Sequence, residues 1–407
     1  MVRTKKAEQH SNVLRVASLF SGCGGLDLGF TGGFVFYGES FPKLPTRIVF
    51  ANDFDSDAAT CYNNNDLLVA DGAKCLLRDI REVDANDIPD YDILLAGFPC
   101  QPFSNAGNRK GVNDDNGRGT LFEECERIIK AKVNGGVSPK AFVFENVRGI
   151  LSSKMPSGIT VPDEIRNRME SLGYNVSMRL VCASDFGVPQ KRYRVLIVGF
   201  RQDLGTFDFN QMDALVREMG LPSEKNGNYE RLLIGSVFHG IEAIPDGGCW
   251  DYSKTTQDMI EKIGPCAHGE SAAQFFTDGF KLSELPDSVF EGRSWKNIPY
   301  EQLTPRFRKI YDDPKKYHAP NFFRRFAFGE INGTITASAQ PENCGITHPI
   351  YNRRYSVREI ARIQSFPDSY SFDSIPLQSR YKVIGNAVPP ILGWVIARSI
   401  INQLNKK

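Results

Sequence analysis

Apolar runs and stretches with helical spacing alternate through the first half of the chain. Strands are predicted at five short apolar runs, Leu14–Leu19, Ile48–Ala51, Tyr91–Ala96, Ala141–Phe144 and Val195–Gly199. Helices are predicted between them, at Ser56–Asn63, Leu121–Ala131 and Pro162–Leu172. This alternation is typical of an α/β protein in which helices cover a mostly parallel sheet.

Polar or glycine-rich sequence follows the predicted strands. The first strand leads into the segment FSGCGGLDLGF, Phe20–Phe30, which predicts a turn and then a helix. The next strands end near Asp53, Gly97 and Glu145. In open sheets of this kind, ligands bind beyond the carboxyl ends of the strands. The pattern therefore predicts a binding site at that edge.

The pattern changes after about Phe200, where glycine, proline, aromatic and charged residues replace the regular alternation as far as about Tyr351. We predict a second domain there. Within it, Gly292–Arg325 contains nine Lys or Arg and three acidic residues, interleaved with aromatic side chains. That combination suits a phosphate backbone and stacked bases, although a solvated basic face is the alternative. Helical spacing returns in Ser356–Phe366 and Tyr381–Ile400.

Composition narrows the class of protein. The 407 residues include 49 Lys and Arg against 48 Asp and Glu, with 41% hydrophobic residues, so the chain is globular and any polyanion must be held by a local patch. The polar start and the lack of a long uninterrupted apolar run predict neither a signal peptide nor a membrane helix. Nine cysteines without a CxxC pair predict a reducing, cytoplasmic location and no metal site.

The glycine loop and two acidic residues are candidates for binding a small ligand. Gly22, Gly24 and Gly25 allow the backbone to approach a ligand closely, although a tight strand–helix turn alone would also use them. Asp53 lies where many nucleotide-binding sheets place an acid that accepts hydrogen bonds from ribose hydroxyls. Asp79, in the tripeptide RDI, is a third candidate or an ordinary surface carboxylate.

A second group of residues suggests covalent chemistry. Cys100 lies between two prolines in GFPCQPFS, which makes it a candidate nucleophile, or else a small buried apolar residue. Glu145 ends a neighbouring strand, and Arg192 and Arg194 in QKRYR precede another, so one thiol, one acid and two guanidinium groups can converge. The five histidines lie outside these motifs, so a Cys–His dyad is not predicted.

This set of groups suits a pyrimidine ring. A thiolate can add to carbon 6 of cytosine while an acid hydrogen-bonds nitrogen 3 and an arginine binds the carbonyl. Carbon 5 then becomes nucleophilic enough to attack an electrophilic methyl group, and elimination releases the enzyme.

In order and wording, the motifs resemble those of the cytosine-5 DNA methyltransferase family from about Leu14 to Leu404. FSGCGGLDLGF, GFPCQPFS, FENV and QKRYR are similar to its cofactor, catalytic-loop, acid and arginine motifs. RGTLF, RRYSVREIARIQSFPD and IGNAVPP are similar to three further motifs in the unpermuted order. The resemblance implies an α/β, Rossmann-like fold of S-adenosylmethionine-dependent methyltransferases, with a mostly parallel sheet and a smaller target-recognition domain.

The resemblance also implies roles for individual residues. Cys100 would be the nucleophile, Glu145 the contact to nitrogen 3, Arg194 the contact to the cytosine carbonyl, and Arg192 a residue of the catalytic pocket or of a nearby phosphate. S-adenosylmethionine would be bound by Phe20, Gly22, Cys23, Gly24, Gly25, Leu26, Asp53, Phe54, Asp79, Ile80, Gly97, Pro99, Leu121, Asn386 and Val388. DNA would be contacted by Gln101, Ser104, Arg306, Arg308, Arg324, Arg325 and Arg353.

The implied organisation is an N-terminal tail (1–13), a catalytic and cofactor-binding domain (14–204), a target-recognition domain (205–352), and a hinge motif with a C-terminal helix that returns to the catalytic domain (353–407). TITASAQ, Thr334–Gln340, would abut DNA or be purely structural. The implied activity is transfer of a methyl group to carbon 5 of a flipped-out cytosine in a short duplex sequence. A restriction–modification system with a cognate endonuclease, and a monomeric state, are further expectations.

Two alternatives stay open from the sequence. A cytosine-5 methyltransferase acting on tRNA has the same motifs, but its usual Cys-Phe-Thr stretch is absent from the recognition region. A catalytically inactive DNA-binding module is the other, and the intact set of Cys100, Glu145, Arg192 and Arg194 argues against it.

Overall fold

A computed structural model describes residues 13–98, 121–155, 157–267, 269–276, 279–313 and 321–406. Its strands are β1 (Leu14–Leu19), β2 (Phe34–Phe36), β3 (Glu39–Phe41), β4 (Thr46–Asp53), β5 (Cys75–Leu77), β6 (Ile93–Ala96), β7 (Ala141–Val147), β8 (Tyr174–Cys182), β9 (Gln190–Lys191), β10 (Tyr193–Arg201), β11 (Arg293–Ser294), β12 (Arg324–Arg325) and β13 (Asn332–Gly333).

The α-helices are α1 (Gly25–Thr31), α2 (Ser56–Asn63), α3 (Asp66–Val69), α4 (Leu121–Asn134), α5 (Val161–Ser171), α6 (Asn210–Met219), α7 (Ile234–Phe238), α8 (Lys254–Ile263), α9 (Pro305–Asp312), α10 (Val357–Ile363), α11 (Leu377–Asn386) and α12 (Pro390–Leu404). Short 3-10 turns connect many of them.

Seven strands form the central sheet, in the order β5-β4-β1-β6-β7-β10-β8. Strands β5, β4, β1, β6 and β7 are parallel, and β10 runs antiparallel to both β7 and β8. The predicted α/β class and mostly parallel sheet are confirmed. All five predicted strands and all three predicted helices of the first half are present, with ends that differ by a few residues.

The parallel strands are apolar on both faces because helices cover both sides of the sheet. Along β1, Val16 joins the apolar cluster beneath α1, α6 and α12, whereas Ala17 and Leu19 join the cluster beneath α4 and α5. Full burial on both sides explains why these strands are continuous apolar runs.

Strand β8 was missed in the sequence. Its apolar residues alternate with Asn175, Ser177 and Arg179, and most of its side chains are half-buried. This period-2 pattern is typical of an edge strand rather than of the buried strands on which the prediction relied.

Much of the segment after β10 shares its core with the sheet. Phe207, Met212 and Leu215 pack in the same apolar cluster as α12. A smaller, distinct cluster contains Trp295 and Phe307 with α8 and nearby aromatic residues. The division at residues 205 and 352 therefore stays a prediction.

The C-terminal helix lies against the start of the chain. A Cβ on Gly29 would lie 2.6 Å from the Cα of Gly393, so the backbones of α1 and α12 are in close contact, and the Trp394 indole donates to the Pro42 carbonyl at 2.9 Å. Among the described residues, the helical stretch Leu377–Leu404 is the one long and apolar enough to span a membrane, but 89% of its apolar window is buried, as in a core helix.

Candidate active site at the carboxyl edge of the sheet

The antiparallel direction of β10 brings two motifs together. The start of β10 lies beside the end of β7, with Arg194 opposite Val147 and Leu196 opposite Glu145. Arg194 and Glu145 are thus diagonal neighbours at the same edge where β1, β4 and β6 end. A parallel strand in this position would have placed Arg194 at the opposite edge.

Glu145 and Arg194 form an ion pair at this edge. The Arg194 Nε lies 2.6 Å from Glu145 Oε1, and both side chains are 11% exposed. Arg194 Nη1 also donates to the Tyr193 carbonyl at 2.8 Å. A carboxylate in so little solvent requires a partner, and the guanidinium compensates its charge.

The segment that enters the catalytic-loop motif lies beside this pair. A Cβ on Gly97 would lie 3.7 Å from Glu145 Oε2, so glycine leaves space next to the carboxylate. The Asn146 amide donates to the Phe98 carbonyl at 3.3 Å and ties β7 to this segment. Pro99, Cys100, Gln101 and Ser104 lie outside the described residues, and their roles stay predictions.

Arg192 is placed differently from the expectation of a pocket or phosphate contact. It is 1% exposed, its Nη1 donates to the Ile335 carbonyl at 2.9 Å, and its Nη2 donates to the Gly385 carbonyl at 3.0 Å. Burial lowers its pKa well below the ordinary value, and the charge of Arg194 acts in the same direction. In this structure, Arg192 joins the TITASAQ and IGNAVPP motifs instead of facing a substrate.

Gln190, in the same motif, makes a parallel connection that the sequence analysis did not assign. The side-chain NH2 group of Gln190 donates to Gln364 Oε1, and the side-chain oxygen Oε1 of Gln190 accepts from the Ile335 N–H at 3.1 Å. Gln364 in turn donates to the Ala387 carbonyl. The spacing of Gln190 and Arg192 in the motif could have indicated a shared role. Their partners could not be predicted, because they are more than 140 residues away in the sequence.

The glycine loop and Asp53 form a second part of the edge. Asp53 is 8% exposed; its Oδ2 accepts from the Gly22 N–H at 2.8 Å and its Oδ1 from the Asp55 N–H at 2.9 Å. Burial raises the pKa of this carboxyl, whereas these hydrogen bonds oppose the rise.

Gly22 has φ 58°, and no atom lies within 4 Å of the place of a Cβ, so open space adjoins the loop. Phe20 has φ 56°, which is uncommon for a residue other than glycine.

Apolar residues border this space. Phe54 follows Asp53 and is 66% exposed, and Leu77, paired with Asp53 in the sheet, is 53% exposed. Ile80 and Leu121 are buried nearby in the cluster beneath α4 and α5. Leu77, which no motif singled out, is an exposed apolar side chain at the end of β5.

Asp79 caps the 3-10 turn that begins at Ile80 and forms an ion pair with Arg81. Its carboxylate accepts from Arg81 through Nε and Nη2, and this contact lowers the pKa of Asp79. The side chain is 29% exposed. An exposed ion pair of this kind would have to open or share its oxygens to bind a ligand.

The opposite border comes from the end of the chain. A Cβ on Gly25 would lie 2.3 Å from the Val388 carbonyl oxygen, so only glycine permits this contact between α1 and IGNAVPP. The Tyr370 hydroxyl donates to the Cys23 carbonyl. Asn386 ends α11 and is exposed, whereas Leu26 is buried. Residues separated by more than 340 positions therefore meet around the glycine loop.

Asp27 is a buried acid of the loop that the sequence analysis missed. It is fully buried and accepts from Ser18 Oγ at 2.6 Å and from the Tyr62 hydroxyl at 2.9 Å. Burial raises its pKa to about 6, although both hydrogen bonds lower it. An Asp in the first turn of a helix is normally exposed and interacts favourably with the helix N-terminus. The sequence therefore gave no indication that Asp27 is buried.

The predicted DNA contacts occupy different environments. Arg306 is exposed and lies over Phe322, and Arg308 lies over Tyr300. Arg324 pairs with Glu330, and Arg353 with Glu359. Arg325 is 1% exposed and donates to the Ile350 carbonyl and to Asn352, so its guanidinium is not available to DNA in this structure.

Within the described ranges, no group of three or more His, Cys, Asp or Glu residues could hold a metal ion.

The fold and this edge are those of an α/β protein with a binding site at the carboxyl ends of its parallel strands. The family model for C-5 cytosine-specific DNA methylases matches residues 14–402. The Type II methyltransferase M.FnuDI of Fusobacterium nucleatum is 33% identical over 397 residues, covering 97% of this chain and 96% of that protein. M.NgoFVII of Neisseria gonorrhoeae is 32% identical over 395 residues, covering 96% and 87%.

A solved structure, the S. pombe Dnmt2 methyltransferase, has a TM-score of 0.54 at 18% identity, with 95% of this chain and 98% of that chain covered. At this identity, the likeness shows the fold alone. From the family match and the relatives, the chain belongs to the C-5 cytosine-specific DNA methylase family. It is a DNA cytosine methyltransferase.

Proposed function

We propose that the enzyme methylates carbon 5 of one cytosine within a specific short duplex sequence, using S-adenosylmethionine, a flipped-out base and a covalent Cys100 adduct. The observation that carries this proposal is the ion pair of Glu145 and Arg194, 2.6 Å apart, beside Gly97 and at the same edge as the glycine loop. An acid and a guanidinium at this spacing match adjacent polar positions of one cytosine ring.

Cys100 would add through its sulfur to carbon 6 of the cytosine, which makes carbon 5 nucleophilic. Glu145 would hydrogen-bond the nitrogen 3 edge and Arg194 the ring carbonyl, so that the charge developing on the ring is stabilised. After methylation, loss of the carbon 5 proton would expel the Cys100 thiolate and restore the aromatic ring. Rearrangement of the Glu145–Arg194 pair around the base is part of this scheme.

The open space beside the glycine loop fits S-adenosylmethionine. Asp53 has both oxygens positioned by backbone N–H groups and retains accepting capacity for ribose hydroxyls. The exposed ring of Phe54 offers an apolar face to a base, and Gly22 leaves the loop unobstructed. When bound, this cofactor supplies an electrophilic methyl group.

DNA would be held by an exposed basic face of the small aromatic cluster. Arg306 and Lys309 lie three residues apart on α9, whereas Phe307 between them is buried. Lys296 and the exposed Tyr300 extend this face. Extrusion of the base costs a few kcal/mol, which contacts of the recognition region would offset. Arg325 is better explained as a structural residue than as part of this face.

The proposed setting is a restriction–modification system in which methylation protects the sequence from a cognate endonuclease. No direct contact with that endonuclease is needed, and the enzyme would act as a monomer in the cytoplasm, where its DNA lies.

The test expresses the enzyme in a host without cytosine methylation and sequences its DNA after bisulfite treatment. We expect cytosines of one short sequence to resist conversion with the intact enzyme and none with Cys100→Ala, while the variant still binds S-adenosylmethionine and DNA. Cys266→Ala is the matched control because Cys266 is a buried free thiol that contacts the carbonyls of Arg325 and Phe326 instead of the sheet edge, and it should methylate normally. Full activity of Cys100→Ala would contradict the covalent mechanism. Unprotected DNA with methylated tRNA would instead indicate an RNA substrate.

A further inference from the structure

Arg354 lies between two aromatic rings in the recognition region. Its guanidinium carbon is 4.3 Å from the ring centroid of Trp250 and 4.2 Å from that of Tyr252. The residue is 2% exposed. A planar guanidinium can stack on aromatic faces in this way, and an ammonium group cannot reproduce that arrangement.

The same guanidinium connects two segments that are distant in the sequence. Nη1 donates to the carbonyls of Trp250 and Asp251 at 2.7 and 2.6 Å. Nε donates to the Ala339 carbonyl at 3.0 Å, and Nη2 donates to Gln340 Oε1 at 2.9 Å. Among the described residues, Arg354 has no carboxylate partner in an ion pair, so carbonyl oxygens and rings hold its charge.

The segment held from Ala339 onwards belongs to a loop with an exposed polar surface. Thr336, Ser338 and Asn343 are linked through their side chains, with Thr336 Oγ1 3.0 Å from Asn343 Oδ1 and Asn343 Nδ2 2.7 Å from Ser338 Oγ. Ser338 and Asn343 are exposed. Ala339 has φ 47°, an unfavourable conformation for alanine, which must be maintained by surrounding contacts.

This loop begins beside β9, which directly precedes β10, the strand that carries Arg194. The Thr334 hydroxyl donates to the Lys191 carbonyl at 2.9 Å, and β13 pairs with β9 just before Arg194. The Ile335 carbonyl accepts from Arg192. The polar loop is thus fixed to the active-site edge at one end and to Arg354 at the other.

We propose that Arg354 is a positioning residue for DNA sequence recognition, because it holds residues 336–343 against residues 250–252 as one rigid surface beside the active site. The inference rests on the proposed function. Hydroxyl and amide groups can discriminate between base edges only when their positions are fixed. Arg354 would not touch DNA; it would determine where Ser338 and Asn343 meet the base pairs next to the target cytosine.

The test compares methylation of the wild-type target sequence with that of its single-base variants, in short duplexes. For Arg354→Lys, we expect the ratio of kcat/KM between target and near-target duplexes to fall about tenfold, because a displacement of about 1 Å is enough for such losses. The affinity for S-adenosylmethionine should not change. Gln340→Leu removes a single contact of Arg354 and should lower the ratio in the same direction by less, which keeps the test valid if Arg354→Lys folds poorly.

The matched control is Arg362→Lys, also a buried arginine, which binds Asp368 and the carbonyls of Val237 and His239. It should lower the melting temperature and leave the sequence ratio unchanged. An unchanged ratio in Arg354→Lys, or equal changes in both variants, would overturn the inference. Absence of DNA methylation by the wild-type enzyme would contradict the proposed function itself.

Discussion

Two regions of the molecule differ in the charged side chains that they bury: acids are prominent at the carboxyl edge of the sheet and arginines in the segments after β10, with Arg192 and Glu359 as exceptions. At the carboxyl edge of the sheet, the buried acids Asp27, Asp53 and Glu145 accept hydrogen bonds from nearby N–H, hydroxyl or guanidinium groups. In the recognition and hinge segments, buried arginines donate to backbone carbonyls; these are Arg325, Arg354, Arg358 and Arg362.

The difference follows from secondary structure. At the carboxyl edge of the sheet, the turns that follow β1 and β4 direct the N–H groups of Gly22 and Asp55 at Asp53, so a buried acid is accommodated there. The segments between β10 and α10 contain, in their described part, strands that are two residues long, such as β11 and β12. Their carbonyls lack sheet partners, and a guanidinium with five donors can satisfy several of them together. We infer that Asp53 and Glu145 serve ligand binding or chemistry, whereas Arg325, Arg358 and Arg362 stabilise the fold of the segments after β10.

The largest expected effect is at Glu145. Glu145→Gln keeps an oxygen that can accept from Arg194 but removes the acid, so kcat should fall about 10²- to 10⁴-fold. Single-turnover methylation of a target duplex measures the rate, and calorimetry measures cofactor binding. A rate loss without a comparable loss of S-adenosylmethionine affinity supports a catalytic role, whereas equal losses would make Glu145 a structural residue.

A second test concerns the buried arginines. Arg325→Met leaves the carbonyl of Ile350 and the amide oxygen of Asn352 without their donor, so the free energy of unfolding should fall by about 3 kcal/mol, a typical loss for hydrogen bonds to a charged group. Arg306→Met, on the exposed face, should change unfolding by less than about 0.5 kcal/mol and weaken DNA binding. Denaturant unfolding and DNA titration separate the two. A stable Arg325→Met protein with weakened DNA binding would restore Arg325 as a DNA contact.

The same contrast explains what the sequence could predict. Buried strands such as β1 and β7 are visible as apolar runs, and the residues at their ends are local in the sequence, so Asp53 and Glu145 were predicted at the edge. The basic segment 292–325 shows charge but not burial. Nothing near Arg325 indicates that it contacts the chain 24 to 27 positions later, or that Arg192 contacts Ile335. Such partners depend on the packing of loops, which has no periodic pattern.

The smallest expected effect is a pH dependence of stability caused by Asp27. It tests whether burial of this carboxylate at the edge of the sheet lowers the free energy of unfolding. The folded pKa of Asp27 is about 6, above the value of about 3.9 for an unfolded Asp. The folded state therefore binds the Asp27 proton more tightly, and its stability rises as the pH falls through about 6. Between about pH 8 and about pH 5, this proton should stabilise the wild type by about 1.4 kcal/mol relative to Asp27→Asn, which cannot titrate. Urea unfolding of both proteins at the two pH values measures the difference. If the gap between the two proteins stays constant with pH, Asp27 is ionised in the folded protein at both values, and the hydrogen bonds from Ser18 and Tyr62 outweigh its burial.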